Sequence, residues 1–212
     1  MRLAAASLLL VASLVCGCVS IGSGADAPAH AYLQLSDAGK VQRLAAPLVD
    51  ALLIQPQPAG ALADTVSIAY SRAPDVFGYY QFASWVERPV RALPRLLQQR
   101  LQERGVAGAV GQLGDTMRAD WLLSLRVVSL YHDVRSAPGQ TRLLLQAELF
   151  DRRQRQRVAI GSFSADVPAA RADATAAAAA MSQAVSQSFD ALGPWLEAAL
   201  VQAAARPAPP AR

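Results

Sequence analysis

Between residues 119 and 167 apolar side chains recur at every second position, and after residue 180 they recur at every third or fourth; no other feature constrains the fold as tightly. In 119–134, Trp121, Leu123, Leu125 and Val127 alternate with Ser124 and Arg126. In 141–151, Leu143, Leu145, Ala147 and Leu149 alternate with Gln146 and Glu148. Each segment predicts a strand with one buried face. A third strand over 157–167 follows the basic turn RRQRQ, so an antiparallel meander is expected. Met181, Val185, Phe189, Leu192, Leu196 and Leu200 then form a helical stripe in an alanine-rich segment. Gly193 and Pro194 are expected to bend or break that helix near its middle.

Upstream, 31–35, 48–54 and 65–71 read as strands; in the last, Val66, Ile68 and Tyr70 alternate with small residues. The turn chemistry of RAPDVFG, followed by YYQFASW, predicts a hairpin over 65–85. Val90, Leu93, Leu97 and Leu101 then mark an amphipathic helix over 87–105, with Pro89 in its first turn and Gly105 as its stop. Pro94 implies a kink or a later start. Together these features predict an α+β fold: a single domain over 31–203, an antiparallel or mixed β-sheet with two long helices packed on one face.

Met1 and Arg2 followed by the apolar run 3–15 read as a secretory signal, too short against the roughly 20 residues of a spanning helix. Both cysteines, Cys16 and Cys18, stand at its end, without the spacing of a metal or redox pair. A disulfide between them would close a strained, useless ring. Val15-Cys16-Gly17-Cys18 resembles the bacterial lipobox, with Cys18 in the lipidated position. The implied order is a signal peptide over 1–17, a flexible tether over 18–30 from lipidated Cys18, the domain, and a proline-rich tail over 204–212. Ser20, in place of an aspartate, implies by resemblance to Gram-negative lipoproteins an outer-membrane anchor facing the periplasm. Several acyl chains at about 0.8 kcal/mol per methylene make such an anchor permanent.

Without Arg2, nineteen basic residues face sixteen acidic ones. Export removes nucleic acid as a partner for that excess and leaves anionic lipid or an acidic protein. The imidazoles are His30, in the tether, and His132, read as a strand-end surface residue with Asp133 on the opposite face. No G-x-S-x-G, H-E-x-x-H or P-loop motif occurs, so no catalytic residue, metal or cofactor is expected. Two surfaces stand out as partner or lipid contacts. One is the aromatic hairpin, where Tyr79 and Tyr80 point to opposite faces and Trp85 precedes the helix. The other is Arg152, Arg153, Arg155 and Arg157, of which the last three share the period of two that puts them on one face of a strand. A merely solvated turn is the alternative for the arginines.

The succession of lipobox, tether, YLQL, the hairpin ending GYYQFASWVERPVRALPRLLQQRL, DWLLSLRVVSLYHDV, LLLQAELFD and a terminal helix resembles the ABC-type transport auxiliary lipoproteins of the paraquat-inducible protein C type. Tyr79, Tyr80, Trp85, Pro89 and Leu97 carry the resemblance most clearly; Pro89-Val90 departs from the family's usual Pro-Leu. The resemblance implies a non-catalytic component of an ABC/MCE intermembrane lipid transport system. Its partners would be an MCE-domain periplasmic protein and an ABC transporter, with homo-oligomer formation left open. An envelope assembly or regulatory lipoprotein and a lipid hydrolase are the other readings.

Overall fold

The computed structural model describes residues 29–205; the expected signal peptide, the expected lipidation site Cys18, the expected tether through residue 28 and the expected tail from residue 206 lie outside the described residues. In chain order the elements are β1 (Ala31–Leu33), β2 (Val49–Pro56), β3 (Ser67–Ala73), β4 (Val76–Trp85), α1 (Pro89–Arg104), β5 (Ala107–Gln112), β6 (Trp121–Asp133), β7 (Gln140–Asp151), β8 (Gln156–Pro168) and α2 (Ala174–Ala204).

The meander is β6, β7 and β8, paired antiparallel throughout. Its alternation is clean on β7, where Leu143, Leu145, Ala147 and Leu149 are buried. Opposite them lie Leu130, Val127, Leu125 and Leu123 of β6. The register slips between Val127 and Ser129, a β-bulge that reverses the parity of everything after it. As a result Leu130 and His132 face the same way as Val127 and Leu125.

Because β7 occupies one edge of β6 along its whole length, β2 and β3 share the other. β2 runs parallel to Trp121–Leu125, and β3 runs parallel to His132 and Asp133. β5 extends the sheet beyond β2, and β4 and then β1 extend it beyond β3. The eight-stranded sheet is therefore mixed, and its parallel pairings join segments that have no neighbouring position in the sequence. β5, an Ala/Gly-rich strand, has no bulky alternation and was not expected.

Both helices cover one face of the sheet. α1 starts at Pro89 and keeps Pro94 inside, so the later start does not occur; Ala92, Leu93, Leu96 and Leu97 bury its near side. Gly105 ends it in the left-handed region (φ 71°), its amide donating to the Leu101 and Gln102 carbonyls. α2 is capped by Asp173, whose carboxylate accepts from the Ala176 amide at 2.8 Å. The expected break at Gly193-Pro194 is overturned: the helix runs unbroken to Ala204 with Pro194 within it. Met181, Val185, Phe189, Leu192, Leu196 and Leu200 are all buried, and packing along that stripe outweighs one lost backbone bond on the exposed side.

Candidate functional site

The helix-free face of the sheet exposes a group of aromatic side chains. Tyr79 lies opposite Ala69 and Phe77 opposite Ser71 on β3. The Phe77 ring meets Tyr131 of β6 edge-on, with centroids 5.2 Å apart. Phe77, Tyr79 and Phe82 each remain 44–47% exposed, well above what a core aromatic retains. At the edge, Tyr32 of β1 is 73% exposed and packs on the His30 ring at 5.0 Å. His30, read as tether, donates to or accepts from Ser84 Oγ at 2.9 Å and so is tied to β4.

Trp85, grouped in the sequence with the exposed aromatics, belongs instead to the core. It is 3% exposed, on the same face as Leu33, and its amide donates to the Val66 carbonyl. Tyr80 also turns inward. Between Ser67 and Ala69 the β4 register jumps from Ser84 to Tyr79, so residues 80–83 oppose Ile68 alone. That irregularity lets Tyr80 reach across to β6, where its hydroxyl lies 2.7 Å from His132 Nδ1.

His132 is not the surface residue expected: it is fully buried, placed there by the bulge at Val128. Its ring stacks on Tyr80, and Nε2 faces the Pro138 carbonyl and Gly139 without a well-formed hydrogen bond. Burial lowers its pKa below 6.5, and the Pro138 carbonyl, Asp133 and Asp173 only partly offset this. The folded state therefore holds His132 neutral. Stability should be full above pH about 6.5 and decline below it, where the unfolded chain takes up a proton that the fold resists, by up to about 1.4 kcal/mol per pH unit. Asp37, Asp133 and Asp173 are held below 3.8 and do not titrate in that window. Thermal melts between pH 7.5 and 5, chosen to bracket the histidine's ordinary pKa of about 6.5, should show this decline in the native chain and a flatter profile in His132→Gln.

The arginine turn is ordered by its own carboxylate. Buried Asp151 accepts from the Arg153 and Gln154 amides at 2.9 and 3.0 Å, and Arg155 takes a left-handed conformation (φ 53°). Residues 152–155 are therefore a turn and not a strand, which overturns the shared strand face expected for Arg153, Arg155 and Arg157. The arginines fan out. Arg152 donates to the Ala119 carbonyl at 2.8 Å, Arg153 reaches Asp120 at 3.6 Å and Arg157 reaches Glu148 at 3.2 Å. Arg152 and Arg155 make no ion pair among the described residues.

The most concentrated electrostatic feature was missed in the sequence. Arg100 of α1, almost fully buried, donates through Nε to Asp37 at 2.6 Å and through its other nitrogens to Asp37 and Asp190. Ser186 of α2 donates to the same Asp37 carboxylate at 2.8 Å. Burial raises the Asp37 carboxyl, but hydrogen bonds from Arg100, the Gly39 amide and Ser186 outweigh it and hold the group below 3.8. Arg104 adds a two-pronged contact to Glu197 at 2.7 and 3.1 Å. This clasp joins the irregular segment after β1 to both helices. The available signal was an arginine three residues after Leu97, on the apolar side of α1.

Among the described residues no cluster of His, Cys, Asp or Glu is placed to hold a metal ion, and no helix is long and apolar enough to cross a membrane. His132 offers no open imidazole to a substrate. Residues 33–192 match the family of ABC-type transport auxiliary lipoprotein components, three-quarters of the chain. The chain belongs to that family.

No curated protein shows significant similarity to this auxiliary lipoprotein. Among solved structures, protein XCC0632 from Xanthomonas campestris is 22% identical, with a TM-score of 0.72 over 82% of this chain and 99% of that one. An uncharacterized protein follows at 11% identity and TM-score 0.58, covering 74% and 98%. Lipoprotein GNA1162 from Neisseria meningitidis is more distant, 15% identical with a TM-score of 0.35 over 74% and 99%. The first two likenesses show that the auxiliary lipoprotein's mixed sheet with two helices on one face recurs in other chains.

Proposed function

We propose that this auxiliary lipoprotein is a non-catalytic docking component of an ABC/MCE system that moves phospholipid or other hydrophobic compounds between the inner and outer membranes. In this reading Cys18 anchors it to the outer membrane and the domain binds a periplasmic MCE-domain protein. The observation that carries the reading is the exposed aromatic group Phe77, Tyr79 and Phe82 on the sheet face that no helix covers. Aromatic side chains contribute a large share of interface energy when buried by a partner, and a monomer gains nothing by exposing them. Between Cys18 and Ala29 there are about a dozen residues, a flexible reach on the order of 20 Å, so the domain works close to the membrane surface.

Affinity capture of the full-length tagged chain from detergent-solubilised envelopes should recover an MCE-domain protein. Tyr79→Ala should reduce that recovery about tenfold or more, the loss of one interface hot spot. Recovery unchanged in both Tyr79→Ala and Phe77→Ala would remove the aromatic face from docking. Recovery of cell-wall or outer-membrane assembly enzymes alone would favour the envelope assembly reading.

A further inference from the structure

The two ends of the sheet differ in how their arginines are satisfied. At the end of β6 marked by Asp133, Arg135 and Arg142 share the Asp133 carboxylate, Arg142 also reaches Asp166, and Arg171 pairs with Asp173 at 2.7 Å. Arg72 lies over the Tyr70 ring, 4.9 Å from its centroid. At the opposite end, marked by Trp121, carboxylates run short. Arg118, Arg152 and Arg155 make no ion pair among the described residues, and Arg153 has Asp120 at 3.6 Å with both side chains more than half exposed.

These guanidinium groups are gathered on one ordered support. The Arg152 amide donates to the Asp120 carbonyl and its side chain to the Ala119 carbonyl, both at 2.8 Å, so the β7–β8 turn is fastened to the segment that carries Arg118. Buried Asp151 fixes the turn from inside by accepting the Arg153 and Gln154 amides. Beside the turn a cavity of about 380 Å³ opens between Arg118, Asp120 and Trp121 on one wall and residues 48–51 on the other. Asp50 and Asp120 are the exposed carboxylates there, and they do not balance the arginines around them. A guanidinium fork meets a carboxylate through two parallel hydrogen bonds, and a support already ordered loses little entropy when it does.

The chain enters the sheet far from this end. Ala31 of β1 pairs with Ala83 of β4, which lies beside Ile68 of β3 and so level with Leu130 of β6. β1 runs parallel to β4 and therefore opposite to β3 and β6, so the residues before Ala31 lead away from Trp121. From Trp121 to Leu130 the strand spans about 30 Å at about 3.3 Å per residue, three times the roughly 10 Å over which exposed charges act in 0.1 M salt. Head groups of a bilayer on the entry side are thus out of reach of the arginines. We propose that this end of the sheet is a docking site for a carboxylate-rich segment of a periplasmic partner protein, with Arg118, Arg152 and Arg155 as the residues that bind it. The preference for protein over head groups rests on the reading of Cys18 as the anchor; the preference for carboxylates rests on the arginines alone.

The test uses the full-length chain in mild detergent and a fluorescein-labelled deca-glutamate peptide, followed by anisotropy at about 20 mM salt, where exposed charges act over longer distances. The native chain should bind the peptide. Arg118→Ser with Arg152→Ser and Arg155→Ser should raise the dissociation constant about tenfold or more. Arg118→Ser with Arg155→Ser keeps the Arg152 contact to Ala119 and should raise it about threefold or more, with the thermal melt unchanged. Lys40→Gln with Arg43→Gln removes two cations exposed elsewhere and should change it by less than about twofold. In vesicles with about one-third phosphatidylglycerol, a dye on Gln156→Cys should escape quenching by nitroxide-labelled head groups. The proposal is overturned if the native chain does not bind the peptide, if the Lys40 and Arg43 variant weakens binding as much as the arginine variants do, or if the dye is quenched. Mass spectrometry of Cys18 checks the anchor separately, so a chain without the lipid is told apart from a chain without the site.

Discussion

Arg100→Ala is expected to lower the unfolding free energy by about 3–5 kcal/mol, because it leaves the buried Asp37 carboxylate without its counter-charge. Asp37 is 9% exposed and keeps only the Gly39 amide and the Ser186 hydroxyl as donors once the guanidinium is gone. Asp190 is 58% exposed and contributes little on its own account. The double variant Arg100→Met with Asp37→Leu should recover much of the loss, since it removes both charges from the interior. Urea unfolding followed by tryptophan fluorescence measures both. A loss below about 1 kcal/mol for Arg100→Ala would reduce the clasp to an ordinary surface ion pair. The same geometry sets the acid behaviour. The Asp37 pKa is lowered in the fold, so the clasp stabilises fully above about pH 4, the ordinary carboxylate value, and its contribution is lost as pH falls through the folded pKa.

Trp85→Ala and Tyr79→Ala should separate stability from docking. Trp85 is buried at the junction of β4, β1 and the entry to α1, and its removal leaves a cavity expected to cost about 3–5 kcal/mol. Tyr79 is 46% exposed, and its removal should change stability by less than about 1 kcal/mol while lowering partner recovery. Equal thermal destabilisation by the two would mean that Tyr79 is core and that the helix-free face is not a docking surface. The contrast matters because the two residues looked alike in the sequence, both aromatic and both in YYQFASW.

The same division runs through the fold. The meander and the last helix were legible because each is stated by neighbours two, three or four positions apart, and the side chains that set the period are the ones that pack. β5 was not legible, since AGAVGQ buries little bulk of its own and is a strand only because β2 lies beside it. The unbroken α2 was misread for a related reason: glycine and proline weaken a helix locally, but six large buried side chains hold its two halves to one sheet face.

Of the site, the sequence by itself determined that the aromatic hairpin and the arginine turn were unusual. Which aromatic is exposed was decided by tertiary structure. A bulge at Val128 inverts the parity of β6 and buries His132, and an irregular β4 register brings Tyr80 to it while leaving Tyr79 outside. The clasp joins Arg100 to Asp37 across 63 positions and to Asp190 across 90. Periodicity reports which face of an element is apolar because that depends on near neighbours. A one-residue slip or a pairing between distant charges depends on how the elements meet, and no local pattern encodes it.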